Sequence, residues 1–231
     1  MSPRILVPSV RCDGEIFKQL EFHIVDLEKR EIRYNVSPSL VSTSGLIRML
    51  SLGESIYIFG GYEDVAEIDS YVSQNSTDTF YMGSAHMRLA GDSVGEWCKP
   101  PKPIFGRIFA NSTCFHGKIY NMGFGYLDPQ LFDPTSDSWK SITLPSQLQG
   151  CFLSIFALPD LSHDRIILHL RKGSLPSPSI YAYYPISDEW KLIVSDFSSW
   201  DPVAAVADGV IYCNYYKCHT LVVAYDLKSL K

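Results

Sequence analysis

Two stretches of this chain align without a gap: Phe132-Asp133-Pro134-Thr135-Ser136-Asp137-Ser138-Trp139 and Tyr183-Tyr184-Pro185-Ile186-Ser187-Asp188-Glu189-Trp190. Each reads as a strand ending in an aromatic residue, a tight turn of Pro, Ser and Asp, and a second strand opened by Trp. An earlier copy, Val25-Asp26-Leu27-Glu28-Lys29-Arg30-Glu31-Ile32, carries Ile where the Trp stands. A further copy begins at Tyr225-Asp226-Leu227, and its Trp position would be 232, one past the last residue.

Upstream of each hairpin lies another recurrent strand: Ser55-Ile56-Tyr57-Ile58-Phe59, Lys118-Ile119-Tyr120-Asn121, Arg165-Ile166-Ile167-Leu168 and Val210-Ile211-Tyr212-Cys213. A still earlier strand precedes each, within 45–52, 108–115, 152–158 and 203–207. Ile119 to Ile166 is 47 residues and Ile166 to Ile211 is 45. Four short strands per period of that length predict an all-β chain of four-stranded antiparallel blades, a β-propeller. One blade cannot bury both of its faces, so neighbours must stack face to face. The expected units are 1–40 (partial), 41–102, 103–148, 149–198 and an incomplete 199–231, forming one domain of four to five blades. Either the N-terminal strand from Arg4 to Val10 completes the terminal blade, or the chain is a fragment of a propeller of about six blades; the fragment is preferred.

The repeat resembles the kelch family. That pattern ends the second strand of a blade on two glycines, follows with a Tyr-Asp-Pro-like turn, and opens the fourth strand with Trp. Gly60-Gly61 fits the first element, Phe132-Asp133-Pro134 the second, and Trp97, Trp139 and Trp190 the third. Asp133 and Asp226 hold the same turn position in their copies. The glycine pair becomes Gly123-Phe124, Leu170-Arg171 and Tyr215-Tyr216 elsewhere, so the repeats are divergent and most similar to the kelch domains of plant F-box proteins. The resemblance implies a non-catalytic protein-interaction scaffold, the substrate-recognition part of a cullin-type ubiquitin ligase whose F-box is absent from this chain. The alternative is a propeller enzyme or a small-molecule-binding kelch protein acting at the loop face.

Composition agrees with a soluble, aromatic-rich β domain. Hydrophobic residues make up 46% of the 231 and charged ones 19%, enough for a core. The net charge of −5 and the absence of a basic run argue against nucleic acid as a partner. No apolar stretch is long enough to span a membrane. The N-terminal apolar patch is broken by Pro8 and lacks a secretory h-region, so the expected address is cytoplasmic or nuclear. Without secretion, the acceptor triplets at Asn35, Asn75 and Asn111 are coincidental.

Chemistry is sparse. No P-loop and no GxGxxG occurs, and neither a GxSxG nucleophile pattern nor a triad order of Ser, His and Asp is expected. The segment from Cys213 to His219 is the densest group of possible metal ligands, yet no CxxC or second ligand pair accompanies it. His163-Asp164 and His169 lie near Asp160, but His169 sits in an apolar strand, where a satisfied core histidine is the expected role. Gly91-Asp92-Ser93-Val94-Gly95-Glu96-Trp97 has a passing similarity to a sialidase Asp box at the wrong spacing. No catalytic residue, metal or cofactor is therefore expected.

Recognition would fall to the loops joining the second and third strands of successive blades. Those positions are Tyr62, Glu63, Asp64, Phe124, Tyr126, Arg171, Lys172, Tyr215, Tyr216 and Lys217, with Trp200 on a connecting loop. Tyr, Trp and Arg are the residue types that dominate interface hot spots. The expected partner is another protein.

Overall fold

The computed structural model describes residues 4–12, 18–36, 41–42, 48–59, 84–90, 93–94, 98, 101, 104, 111–122, 128–149, 151–172, 178–197, 204–215 and 218–228. The chain divides into two compact units. One holds residues 1–110 and 135–139, the other 111–134 and 140–231.

In the first unit, β1 (Arg4–Cys12) pairs antiparallel along its full length with β2 (Lys18–Asp26). On β2 also lie β3 (Glu31–Val36) and the two-residue β4 (Val41–Ser42). The N-terminal strand thus belongs to the first sheet. The next sheet is a simple meander of β5 (Arg48–Leu52), β6 (Ser55–Phe59), β7 (Ser84–Ala90) and β8 (Ser93–Val94).

The same meander recurs in β9 (Ser112–Phe115), β10 (Lys118–Asn121), β11 (Gln130–Asp133) and β12 (Ser138–Ser141). It returns in β13 (Cys151–Asp160), β14 (Arg165–Lys172), β15 (Ser179–Tyr184) and β16 (Glu189–Val194). The last sheet has three strands: β17 (Ala204–Ala207), β18 (Val210–Tyr215) and β19 (Cys218–Asp226).

Turn chemistry explains the hairpins. His116-Gly117 and Asp208-Gly209 each put two consecutive residues at positive φ, +46° and +72° in the first, +51° and +77° in the second. That is the type I′ geometry, whose twist matches the strands it joins. The turns before the fourth strands instead place one residue at positive φ, Asp137 (+49°) and Asp188 (+53°), just ahead of the Trp-led strand. Asp tolerates the left-handed region better than most side chains.

Register ties the repeats together. Ile119 lies opposite Phe132, Ile166 opposite Tyr183, and Ile211 opposite Tyr225. All three isoleucines are fully buried. The sheet β13–β16 is buried on both faces. Ile166, Leu168, Leu170 and Tyr183 pack with Phe115, Tyr120, Met122 and Leu148. On its other side Ile167, Ile180, Ala182 and Phe156 pack with Ile211, Phe197 and Leu227. The first strands meet: β13 contacts both β9 and β17. Stacked meanders whose first strands lie together are the arrangement that the repeat predicts. Among the described residues no helix is long and apolar enough to cross a membrane.

Candidate interaction face

Each meander has two ends. At one end the first strand begins and the second finishes; at the other lie the tight turns between first and second strands.

The first end carries the recognition residues proposed from sequence. Arg171 and Lys172 are the last two residues of β14, with Lys172 paired to Cys151 and Arg171 to Leu153. Tyr215 closes β18 at a hairpin whose other side opens with Cys218. In the β9–β12 sheet the corresponding end holds a polar row in register, Ser112 opposite Asn121 and Asn121 opposite Gln130. All three are buried, and the Ser112 hydroxyl finds no hydrogen-bond partner. Tyr62, Glu63, Asp64, Phe124, Tyr126, Trp200, Tyr216 and Lys217 lie outside the described residues, as do Gly60, Gly61 and Trp97. Asn111, Ser112 and Thr113, the acceptor triplet at the start of β9, are all buried.

The opposite end is rich in titratable groups. Asp160, at the close of β13, is 1% exposed. Arg165 Nε donates to its Oδ2 at 2.8 Å, and Ser162 Oγ donates to its Oδ1 at 2.8 Å. His163 Nδ1 lies 3.1 Å from the same carboxylate and 2.9 Å from Ser162 Oγ. Burial pushes the Asp160 carboxyl upward. The hydrogen bonds from Arg165, His163 and Ser162, with the charge of Arg165, outweigh that and hold it below the ordinary carboxylate value. His116 Nε2, on the β9–β10 turn, sits 2.9 Å from Asp164 Oδ1, and the His163 ring packs against Gly209 of the β17–β18 turn. This group ties three successive turns to one another.

Its geometry is not that of a nucleophilic triad. A triad base uses one ring nitrogen for the nucleophile and the other for the carboxylate. Here Ser162 and Asp160 both face Nδ1. Gly91-Asp92-Ser93-Val94-Gly95 spells GxSxG, so the expectation that this nucleophile pattern is absent from the sequence is corrected. A nucleophile elbow requires a strand-to-helix turn. Ser93 instead opens β8, paired with Ala90 of β7.

His169 is fully buried, stacked on Phe156 at 5.1 Å and edge-on to Phe197. Burial lowers its pKa to about 4, against an opposing hydrogen bond to the Phe197 backbone, so the ring is neutral at physiological pH. The Cys114 thiol is pushed up to about 11 by burial and stays protonated. Among the described residues no group of three His, Cys, Asp or Glu side chains is arranged to hold a metal ion.

The repeat residues are occupied structurally. Trp139 donates its indole N–H to the Pro101 carbonyl at 2.8 Å. Trp190 lies across from Tyr183, ring centroids 4.7 Å apart. Asp133 accepts from Lys118 Nζ at 2.9 Å, and the Asp226 carboxylate accepts the Lys228 backbone N–H at 2.9 Å.

No protein-family model matches this sequence. No curated protein matches it either. Solved structures do. The chain is similar to an oligogalacturonate lyase in complex with manganese (TM-score 0.63, 10% identity, 92% of this chain and 60% of that one). It is similar to a puromycin hydrolase (TM-score 0.60, 11% identity, 98% of this chain and 34% of that one). It also resembles the β-propeller domain of the trilobed protease from Pyrococcus furiosus (TM-score 0.53, 12% identity, 96% of this chain and 63% of that one). The chain therefore spans between about a third and two thirds of the length of these structures. At such identity the likeness carries the fold, and neither lyase nor hydrolase activity, to this chain. The fold is a β-propeller.

Proposed function

We propose that this chain is a non-catalytic interaction scaffold that binds another protein through the loops beyond the second strands of its blades. The observation that carries the reading is the common end of β10, β14 and β18, where Arg171, Lys172 and Tyr215 stand in neighbouring sheets. Arg and Tyr are the side chains that anchor interfaces, and loops on a rigid sheet stack tolerate the variation that recognition needs. His116, His163, His169, Asp160, Trp139 and Trp190 are by contrast engaged in packing and turn-to-turn contacts. The finer assignment rests on the Trp-led fourth strands: a divergent kelch propeller, serving as the recognition part of a cullin-type ubiquitin ligase.

The test is affinity purification of the endogenous protein with mass spectrometry of co-purifying chains, alongside an Arg171→Ala/Lys172→Ala variant. The scaffold reading expects specific partners that the variant loses at unchanged thermal stability, with cullin-adaptor subunits among them. Partners held equally by the variant would remove the face from the proposal. A partner set without ligase subunits would remove the ligase role.

A further inference from the structure

The sheet β13–β16 places a phenol between an indole and a carboxylate. Tyr183 of β15 lies opposite Trp190 of β16, with ring centroids 4.7 Å apart and planes inclined by 35°. Its hydroxyl donates to Asp188 Oδ1 at 2.8 Å across the hairpin turn. All three side chains come from one hairpin, so its register sets their spacing. The phenol is 4% exposed, whereas the indole is partly buried and Asp188 is exposed. Trp190 Nε1 is buried and has no hydrogen-bond partner. Burial, followed by the hydrogen bond to Asp188 and the charges of Asp188 and Tyr120, raises the Tyr183 pKa, so the phenol is neutral at physiological pH.

Packing alone does not call for this hydroxyl. In the aligned copy Phe132, Asp137 and Trp139 hold the same three places, and Phe132 is buried without a phenol. What the hydroxyl adds is a proton with a carboxylate to take it. A phenol that loses an electron becomes a strong acid, so it gives the electron up readily only where its proton has an acceptor. An indole can lose an electron and keep its proton, and Trp190 has no acceptor at Nε1. Two neighbouring tyrosines are less well placed. Tyr184 carries Lys191 Nζ at 4.8 Å over its ring, and a cation there opposes loss of an electron. Tyr120 lies edge-on to Tyr183 at 6.3 Å, farther from it than the indole does.

We propose that Tyr183 is a one-electron oxidation site, with Trp190 as the point of entry and Asp188 as the proton acceptor. The co-reactant is a diffusible one-electron oxidising radical. It takes an electron from the indole, leaving a tryptophan cation radical and the reduced oxidant. Tyr183 then passes one electron to Trp190 and its phenolic proton to Asp188 Oδ1. Neutral tryptophan, a neutral phenoxyl radical and a protonated carboxyl result, so electrons, protons and charge balance. Asp188, being exposed, returns the proton to water. This activity goes beyond the scaffold reading and does not depend on it.

The test is pulse radiolysis of the full chain with azide radical, which oxidises tryptophan in preference to tyrosine at neutral pH. Indole-radical absorbance should decay as phenoxyl absorbance grows, with a fastest phase whose rate is independent of protein concentration. Tyr183→Phe should remove that phase, and the aligned Phe132 shows that the fold accommodates the ring. Asp188→Asn keeps an acceptor oxygen, but a poorly basic one, and should slow the phase at least tenfold. Heavy water should slow it in the wild type, because proton and electron move together. Tyr120→Phe should leave it unchanged. A fastest phase that persists in Tyr183→Phe, or is lost in Tyr120→Phe, would place the radical elsewhere and overturn the proposal. So would an unchanged rate in Asp188→Asn or in heavy water, since the carboxylate would then take no part. Spin trapping of the wild type with peptide mapping needs no variant to fold. It should place the adduct on Tyr183, and adducts confined to other tyrosines would sink the assignment.

Discussion

Gly209→Ala is the substitution whose cost follows most directly from the contacts between blades. Gly209 holds φ at +77°, and a Cβ built there would lie 2.7 Å from His163 Cε1 and 3.3 Å from Nδ1. Two penalties result. Placing an L-side chain in the left-handed region costs about 1–2 kcal/mol. The His163 ring must also shift, and in doing so it surrenders its contact with Asp160. A hydrogen bond to a charged group contributes roughly 1.5–3 kcal/mol, and partial solvent access of the ring brings this share down to about 1 kcal/mol. The expected loss is about 2–3 kcal/mol.

A double-mutant cycle separates the two parts. In a His163→Ala background the clash disappears and only the backbone penalty of about 1–2 kcal/mol remains. Urea titrations of the four proteins, with unchanged m-values, read the coupling. An identical cost of Gly209→Ala in both backgrounds would refute the claim that the ring occupies the Cβ position. No cost in either would refute the positive φ as well.

Protonation of His169 should make stability fall with acid. Its folded pKa of about 4 lies below the ordinary 6.5, so below pH 6.5 the unfolded chain binds more protons than the folded one. The contribution is complete above pH 6.5 and is lost as the pH falls towards 4, to the extent of roughly 3 kcal/mol. Denaturant midpoints over that window should show the slope, and His169→Gln, whatever its own stability, should flatten it; an unchanged slope would contradict the assignment. The two repeat tryptophans should respond differently to Phe. Trp190 Nε1 is buried without a hydrogen-bond partner, so Trp190→Phe should lose only the indole's packing on Tyr183 and less stability than Trp139→Phe. Trp139→Phe strands the Pro101 carbonyl and should cost about 1 kcal/mol, and equal melting temperatures for both variants would argue against this division.

Much of the fold was legible because hairpin pairing is local. The alignment of Ile119, Ile166 and Ile211 with the aromatic residues that face them came from spacing alone, and the ladders realise that register. Contacts between blades were not legible. Nothing in the spacing of His163 and Gly209 says that a ring of one turn rests on the next, or that His116 reaches Asp164, since these partners are 46 and 48 residues apart. GxSxG at Gly91–Gly95 shows the reverse failing: a string with catalytic associations occurs where the backbone forms a hairpin. Of the residues proposed for recognition, Arg171, Lys172 and Tyr215 are located on strands, and the others lie outside the described residues.

The departures from the kelch glycine pair have a structural consequence that bears on function. β10 stops at Asn121, two residues before Gly123. Where Leu170-Arg171 replaces the pair, β14 runs through it to Lys172, and where Tyr215-Tyr216 replaces it, β18 runs on to Tyr215. Glycine weakens a strand through backbone entropy and offers no side chain. Replacing it therefore does two things at once. It extends the second strand towards the loop face, and it places Arg or Tyr on a paired strand end rather than beyond it. Side chains held on strands lose less freedom on binding than those on loops. On the scaffold reading proposed above, the same departures from the glycine pair place the proposed recognition residues of two neighbouring blades at strand ends.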